Sequence, residues 1–288
     1  MYIPRRIKIT MNDYLRINNL ISGSDAIIIG AGAGLSTSAG INYGREGFQE
    51  KFPELVQKYG MTDMYTSSFY PFKTEEERWS YWAKHINYLY NVPVTEVYKD
   101  LYEIVKNKPY FVVTTNVDGQ FLKARFDRNH VFEVQGTLAK MQCSRACHDA
   151  LYDDLELVSK MFKADKDCCI PTKYVPICPR CGEAMDVNLR KDEFFVEDQH
   201  WHDLQHRYLE FVCRYQDKKL LLIELGVGFN TPGIIRFLFE EMTRRHEDTT
   251  LIRVNKEYPD LALNIQDKKI LIQEDCKEFI RGLNNCSS

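Results

Sequence analysis

The stretch Asp25-Ala26-Ile27-Ile28-Ile29-Gly30-Ala31-Gly32-Ala33-Gly34-Leu35-Ser36 decides how the chain is read. An apolar, β-branched run that ends in alternating glycines is a strand feeding a tight loop. Glycines there admit positive φ and let the backbone approach a pyrophosphate closely. A helix N-terminus following them supplies N–H donors and a positive dipole end. Neither Gly30 nor Gly32 begins a G-x-G-x-x-G, and a Walker A lysine is missing, which disfavours ATP and GTP. A strand-to-helix turn with no ligand is the plainer alternative.

Five more runs of this kind follow: Tyr110–Thr115, Val131–Val134, Leu220–Leu225, Thr249–Val254 and Lys269–Ile272. Several are apolar almost throughout, as expected of strands covered on both faces of a parallel sheet. Helical periodicity fills Asn12–Ile21, Glu75–Tyr90, Thr95–Asn107 and Gly233–His246. The alternation predicts an α/β fold, a doubly wound, Rossmann-like parallel sheet. Two stretches break the rhythm. Residues 42–105 hold an aromatic-rich helical insertion, and residues 139–188 are polar, cysteine-rich and poorly periodic. Residues 1–41, 106–138 and 189–288 are therefore expected to form the nucleotide-binding domain, with the two insertions as a small lobe beside it.

The 288 residues are 44% hydrophobic and 27% charged, with a net charge of −3, a globular composition that excludes a disordered chain. The near-neutral balance argues against a duplex-DNA binder. The first ten residues, MYIPRRIKIT, have no apolar signal-peptide core. Ala26–Leu35, the longest uncharged apolar run, is far shorter than the ~20 residues of a membrane helix, and Glu224 interrupts Leu220–Phe229. The expectation is a cytoplasmic protein with neither membrane nor nucleic-acid partner.

Nine cysteines in a reducing compartment point to metal ligands, catalytic groups or core residues rather than disulfides. Cys143-x3-Cys147 and Cys178-x2-Cys181 have knuckle spacing, and four thiolates on one tetrahedral ion leave no open position, so the metal would be structural zinc. Buried reduced thiols are the alternative, and Cys168-Cys169 or His148 could substitute as ligands. His202 and His206 sit four apart in a helical stretch and are read as a solvated face. Trp79, Tyr81, Trp82, Tyr88 and Tyr90 are read as packing.

Functional groups of an open α/β sheet gather at the carboxyl ends of its strands. Three ends are polar here: Thr114-Thr115-Asn116-Val117-Asp118-Gly119, Glu133-Val134-Gln135-Gly136-Thr137 and Gly226-Val227-Gly228-Phe229-Asn230. Asn116 and Asp118 could hydrogen-bond an amide and ribose hydroxyls, or simply form turns.

Together these segments resemble the sirtuin family. Gly32–Ile41 is similar to its G-A-G-x-S signature, Thr114–Asp118 to its T-Q-N-I-D, Gly226–Gly228 to its G-T-S, Val254-Asn255 to its I-N pair, and Glu274–Cys276 to its closing G-D-C. The cysteine quartet stands where sirtuins insert a zinc module. The resemblance spans roughly residues 12–285. It implies NAD as co-substrate and a binding set of Gly32, Ala33, Gly34, Ser36, Arg45, Asn116, Asp118, Gln135, Gly226, Val227, Gly228, Asn255 and Cys276. Asn116 and Gln135 would be catalytic.

The departures from the family are chemical. Gln135-Gly136 stands where deacylating sirtuins carry a catalytic histidine and glycine. A carboxamide cannot take a proton near neutral pH, and losing a general base costs ~10²–10⁴-fold in rate. Asn42-Tyr43-Gly44-Arg45 keeps only the arginine of P-D-F-R, and the strand-like peptide clamp ending F-G-E reads Phe194-Phe195-Val196-Glu197. Glutamine at this place resembles the macrodomain-linked (class M) microbial sirtuins. That resemblance implies ADP-ribosyl transfer to a lipoyl-carrying, glycine-cleavage-H-like protein, with a macrodomain ADP-ribosylhydrolase as functional partner. Weak deacylation and non-catalytic sensing of NAD or ADP-ribose are the alternatives.

Overall fold

Strand β1 (Ala26–Ala31) is buried at every position, as an uninterrupted apolar run requires of a strand with helices on both faces. In this computed structural model, which describes residues 9–286 apart from 43, 262, 264 and 266, β1 pairs in parallel with β2 (Tyr110–Thr114) and β7 (Leu220–Leu225). The opening basic residues 1–8 and Tyr43 of the altered arginine motif lie outside the described residues. Strands β3 (Val131–Glu133), β8 (Thr249–Val254) and β9 (Lys269–Ile272) complete the order β3-β2-β1-β7-β8-β9. All six occupy the expected apolar runs. Strand order reverses between β1 and β7, so the crevice of this doubly wound sheet opens where their carboxyl-end loops part.

Alternate residues of β1 face opposite layers. Ile27 and Ile29 pack with Ile17 and Ile21 of α1 (Met11–Gly23), Leu101 of α7 (Glu96–Val105) and Phe279 of α12 (Cys276–Cys286). Ile28 packs with Tyr208 of α10 (Gln199–Tyr215) and Phe239 of α11 (Arg236–Arg245). Helix α7, counted above with the helical insertion, buries Val97, Tyr98, Leu101 and Val105 in the core of the large sheet. Helix α1 begins with a capping box in which Thr10 and Asp13 satisfy each other's backbone amides.

A second core lies in the small lobe. Helix α6 (Glu75–Asn91) carries Trp79, Tyr81, Trp82, Ile86 and Leu89 into it. They meet Phe48 of α3 (Arg45–Lys51), Leu55 of α4 (Pro53–Tyr59) and Met64 of α5 (Met64–Ser67). The stretch read as poorly periodic forms a three-stranded antiparallel sheet, β5-β4-β6, from β4 (Gly136–Cys143), β5 (Tyr152–Asp153) and β6 (Met185–Leu189), with helix α9 (Leu155–Ala164). A register shift between Thr137 and Met141 breaks the period-two pattern that marks a strand in sequence. Among the described residues no helix is long and apolar enough to cross a membrane.

Candidate functional site

The glycine-rich loop is built against the loop that follows β7. Gly32 donates its amide to the Leu225 carbonyl at 3.0 Å and Gly34 to the Gly226 carbonyl at 2.9 Å. A Cβ on Gly32 would lie 2.8 Å from the Gly226 oxygen, and one on Gly34 2.8 Å from the Gly226 Cα. Gly226 itself has φ +62°. The alternating glycines therefore let two backbones touch at the switch point. Short helix α2 (Ala33–Ser38) starts from that contact.

Under the loop runs a buried chain of hydrogen bonds. Ser36 Oγ donates to Asp118 Oδ2, so the hydroxyl of Tyr98, 2.9 Å away, donates to Ser36. The Asn116 side-chain amide donates to the Tyr98 oxygen at 3.4 Å and to the Gly32 carbonyl at 3.0 Å. The other oxygen of Asp118 accepts the amide of Gln120, at the start of α8 (Gln120–Lys123). Burial, then the Asp118 charge, hold the Tyr98 hydroxyl well above its usual pKa, so it remains a donor. Sequence reasoning missed Tyr98 because its helical spacing reads as core.

A cavity of about 770 Å³ opens over this floor. Of the expected residues, Gly32, Ala33, Asn116, Gln135, Val227 and Gly228 line it. Gly34, Ser36, Asp118, Gly226, Asn255 and Cys276 are not lining residues. The Asn255 amide nitrogen donates to the Val227 carbonyl, and its oxygen accepts the Glu257 and Tyr258 amides, so it ties two loops together. The Cys276 thiol is buried beside the Val254 carbonyl, and burial raises its pKa. Arg45 is exposed at the first residue of α3 and is not a lining residue.

The loops after β7 and β8 are held from beneath by charge. Arg253 of β8 pairs with Glu224 of β7 at 2.8 Å and Glu240 of α11 at 2.7 Å, all three with fully buried side chains. Arg236 lies 3.5 Å from Glu224 and donates to the carbonyls of Val227, Tyr258 and Asp260. Its guanidinium also covers Phe229, which packs edge-on to Tyr258, and both rings line the cavity.

Gln135 lies in the turn between β3 and β4 and is anchored through its carbonyl by the Arg190 amide at 2.9 Å. Gly136 beside it has φ +88°, and a Cβ there would lie 2.3 Å from the Asn188 oxygen. Arg190, another lining residue not singled out from sequence, stacks over Phe195 and Trp201 and pairs with Glu197. The segment expected as a strand-like clamp is not a strand: Gln142 and Asn188 side chains hold it by the backbones of Phe194 and Val196. Side-chain amides replace the ladder. Two residues before Gln135, burial and the Asp118 charge push Glu133 up to about 8.

The metal centre is assembled as expected. The Cys143, Cys147, Cys178 and Cys181 sulfurs all lie within 4.8 Å of one another, a donor set that fits one tetrahedral zinc ion. Burial alone would raise Cys178, but the Cys181 and Arg180 amides and neighbouring thiols pull it down to about 6. Cys168 and Cys169 are outside the cluster. His148 is beside it rather than in it, with Nδ1 3.0 Å from the Cys147 sulfur and Nε2 2.8 Å from the Tyr152 hydroxyl. His202 and His206 face Glu197 and Glu210 on an exposed helix side.

Fold and cavity together define a Rossmann-type nucleotide enzyme with a structural metal module. A family profile described as Sir2 family matches residues 32–218. A protein ADP-ribosyltransferase of Staphylococcus aureus is 38% identical over 267 residues, covering 92% of this chain and 84% of the relative. A probable bifunctional ADP-ribose hydrolase/ADP-ribosyltransferase of Fusarium oxysporum f. sp. cubense is 32% identical, covering 81% of this chain and 41% of its own length. Among solved structures, Sir2Tm bound to a propionylated peptide shares the fold with a TM-score of 0.61 at 19% identity, over 96% and 98% of the two chains. A Sir2 homologue–NAD complex does so at 0.59 and 16% identity, over 95% of each. The chain belongs to the Sir2 family, and its co-substrate is NAD.

Proposed function

We propose that the chain transfers the ADP-ribosyl group of NAD to a protein acceptor and releases nicotinamide. The observation that carries this reading is Gln135 on the cavity wall, where a deacylating site needs a base. A carboxamide positions groups by hydrogen bonds but does not titrate. The imidazole that also borders the cavity, His85, is lowered by burial to about 3 and takes no proton near neutral pH. Two relatives at 38% and 32% identity have ADP-ribosyltransferase in their names.

In this reading the glycosidic bond to nicotinamide breaks, nicotinamide leaves with the bonding pair, and an acceptor atom bonds to the anomeric carbon. Asn116, its amide nitrogen committed to Gly32 and Tyr98, offers its oxygen to the nicotinamide carboxamide or ribose. Gln135 orients the ribose hydroxyls or the incoming nucleophile. Ser36, Asp118, Asn255 and Cys276 act from behind the wall by holding the loops. The expected acceptor is a lipoyl-carrying, H-like protein in the cytoplasm, with a macrodomain ADP-ribosylhydrolase reversing the mark. The Fusarium relative, named for both activities, supports that coupling.

The test is incubation with labelled NAD and an H-like carrier protein, lipoylated or not. Label transfer that Asn116→Ala and Gln135→Ala abolish supports the reading. Transfer unchanged in both variants rejects it, and tight NAD binding without nicotinamide release under any acceptor makes the protein a sensor.

A further inference from the structure

Behind helix α6 lies a second cleft, of about 600 Å³, that shares no lining residue with the NAD cavity among the described residues. His85 borders the NAD cavity, whereas Lys84, Asn87, Tyr88 and Asn91 border the cleft, so the helix is the partition between them. Spacings of three and four put those residues on one helix face. Buried Phe52, between α3 and α4, closes the cleft with the Tyr88 ring edge-on to it, centroids 5.9 Å apart. Phe162 of α9 stands at the rim, 43% exposed. A bare aromatic face beside a cleft is a surface on which a flat ring stacks.

The polar groups of the cleft suit hydrogen bonding rather than charge. Lys84 lies 3.2 Å from both Glu54 and Asp165, and Lys51 pairs with Glu50 at 2.6 Å. Each charged lining residue is thereby paired, and an ionic ligand would shed its water without gaining a counter-ion. One turn apart on α6, Asn91 donates its side-chain amide to the Asn87 oxygen at 2.9 Å. The Asn87 nitrogen remains as a donor and the Asn91 oxygen as an acceptor, neither bonded further among the described residues. A lactam, with its N–H held beside its C=O, would close the three amides into a ring of hydrogen bonds.

We propose that this cleft binds an uncharged flat ring with a lactam edge, the chemistry of a nucleobase, and that the occupant is an effector of NAD binding. The end of α6 is tied to the floor of the NAD site. Lys123 donates its ammonium to the carbonyls of Leu89, Tyr90 and Val92. Fully buried Gln120 donates its side-chain amide to the Pro93 carbonyl at 3.3 Å, and its backbone amide donates to Asp118 at 3.0 Å. Val92 and Pro93 line the cleft, so a ring seated there bears on the segment that fixes Asp118. Packed, hydrogen-bonded elements of this kind carry coupling between sites. The inference depends on NAD binding and not on the transferase reading.

The test uses the zinc-loaded full chain and two probes, 2-quinolone and N-methyl-2-quinolone, in which a methyl group replaces the lactam proton. 2-Quinolone is expected to bind about five- to tenfold more tightly, the worth of one net hydrogen bond. In Asn91→Leu, at an exposed position, the two probes should bind equally. Phe162→Ala should weaken both alike. Equal binding of the probes to the native protein overturns the proposal, as does discrimination that survives Asn91→Leu. Independently of any variant, the side-chain amide ¹⁵N resonances of Asn87 and Asn91 must move when 2-quinolone is added, and their failure to move overturns the site. Saturating 2-quinolone should shift the NAD dissociation constant by about fivefold or more, and NAD should shift that of 2-quinolone by the same factor. A shift that grows without limit marks competition inside the NAD cavity and overturns the site. Lactam discrimination with an unchanged NAD dissociation constant supports the site and rejects the effector role.

Discussion

Ser36 Oγ lies 2.5 Å from Asp118 Oδ2, and both side chains are buried under the cavity floor. Donation runs one way from Asn116 through Tyr98 and Ser36 to that carboxylate. A hydroxyl-to-carboxylate bond in a dry site is charge-assisted, and deleting either partner costs the other its shortest hydrogen bond. Ser36→Ala and Asp118→Asn should each lower unfolding stability by about 1–3 kcal/mol in urea melts. The double variant should lose less than the sum, because one interaction is being removed twice.

Gly226→Ala meets two obstacles at once, a left-handed φ and a Cβ only 2.4 Å from the Leu35 nitrogen. It should destabilise the protein by well over about 1 kcal/mol and weaken NAD binding in calorimetry. Gly228→Ala, two residues on, has nothing within 4 Å of the new Cβ. Its melting behaviour should stay within about 0.5 kcal/mol of the native protein.

One zinc per chain is expected by elemental analysis. Cys178→Ser should abolish stoichiometric binding, and chelation should lower the melting temperature. Cys168→Ser should keep the metal, since Cys168 is outside the cluster.

Asp154 is fully buried, and neither carboxylate oxygen has a hydrogen-bond partner among the described residues. Burial, then Asp153, raises it from 3.8 to about 8. The folded chain therefore keeps a proton that the unfolded chain gives up. This contribution to stability is complete below about pH 4 and is lost as pH climbs through about 8. Asp154→Asn should melt higher than the native protein near pH 9 and much the same near pH 4. Thermal melts across that range read the crossover. Glu133, raised in the same sense, leaves a residual slope.

The large sheet could be read from sequence because helices cover both its faces, which forces runs such as Ile27–Ile29 and Leu220–Ile223 to be apolar without a break. The small sheet could not, since β4 slips register between Thr137 and Met141 and its partner β5 is only two residues long. Asn116 and Gln135 stood out as polar residues at strand ends. Tyr98 and His85 did not, because an aromatic at helical spacing looks like packing until its polar atom is located. Arg45, read from its motif, is exposed and outside the cavity lining. The Asn255 carboxamide bonds backbone groups of two loops, a role in loop geometry that its sequence position alone does not reveal.

The buried charges Glu224, Arg253, Glu240 and Arg236 and the four cysteines brace different walls of one cavity. The first group carries the loops bearing Val227 and Tyr258, and the second steadies the sheet that runs on from Gln135. The supports fail under different insults, one under mutation of a fully buried ion pair and the other under chelation or thiol oxidation. The two sides of the cavity can thus be eroded separately, and an oxidised or metal-starved protein would keep the glycine-loop contact at the switch point while loosening the wall that carries Gln135.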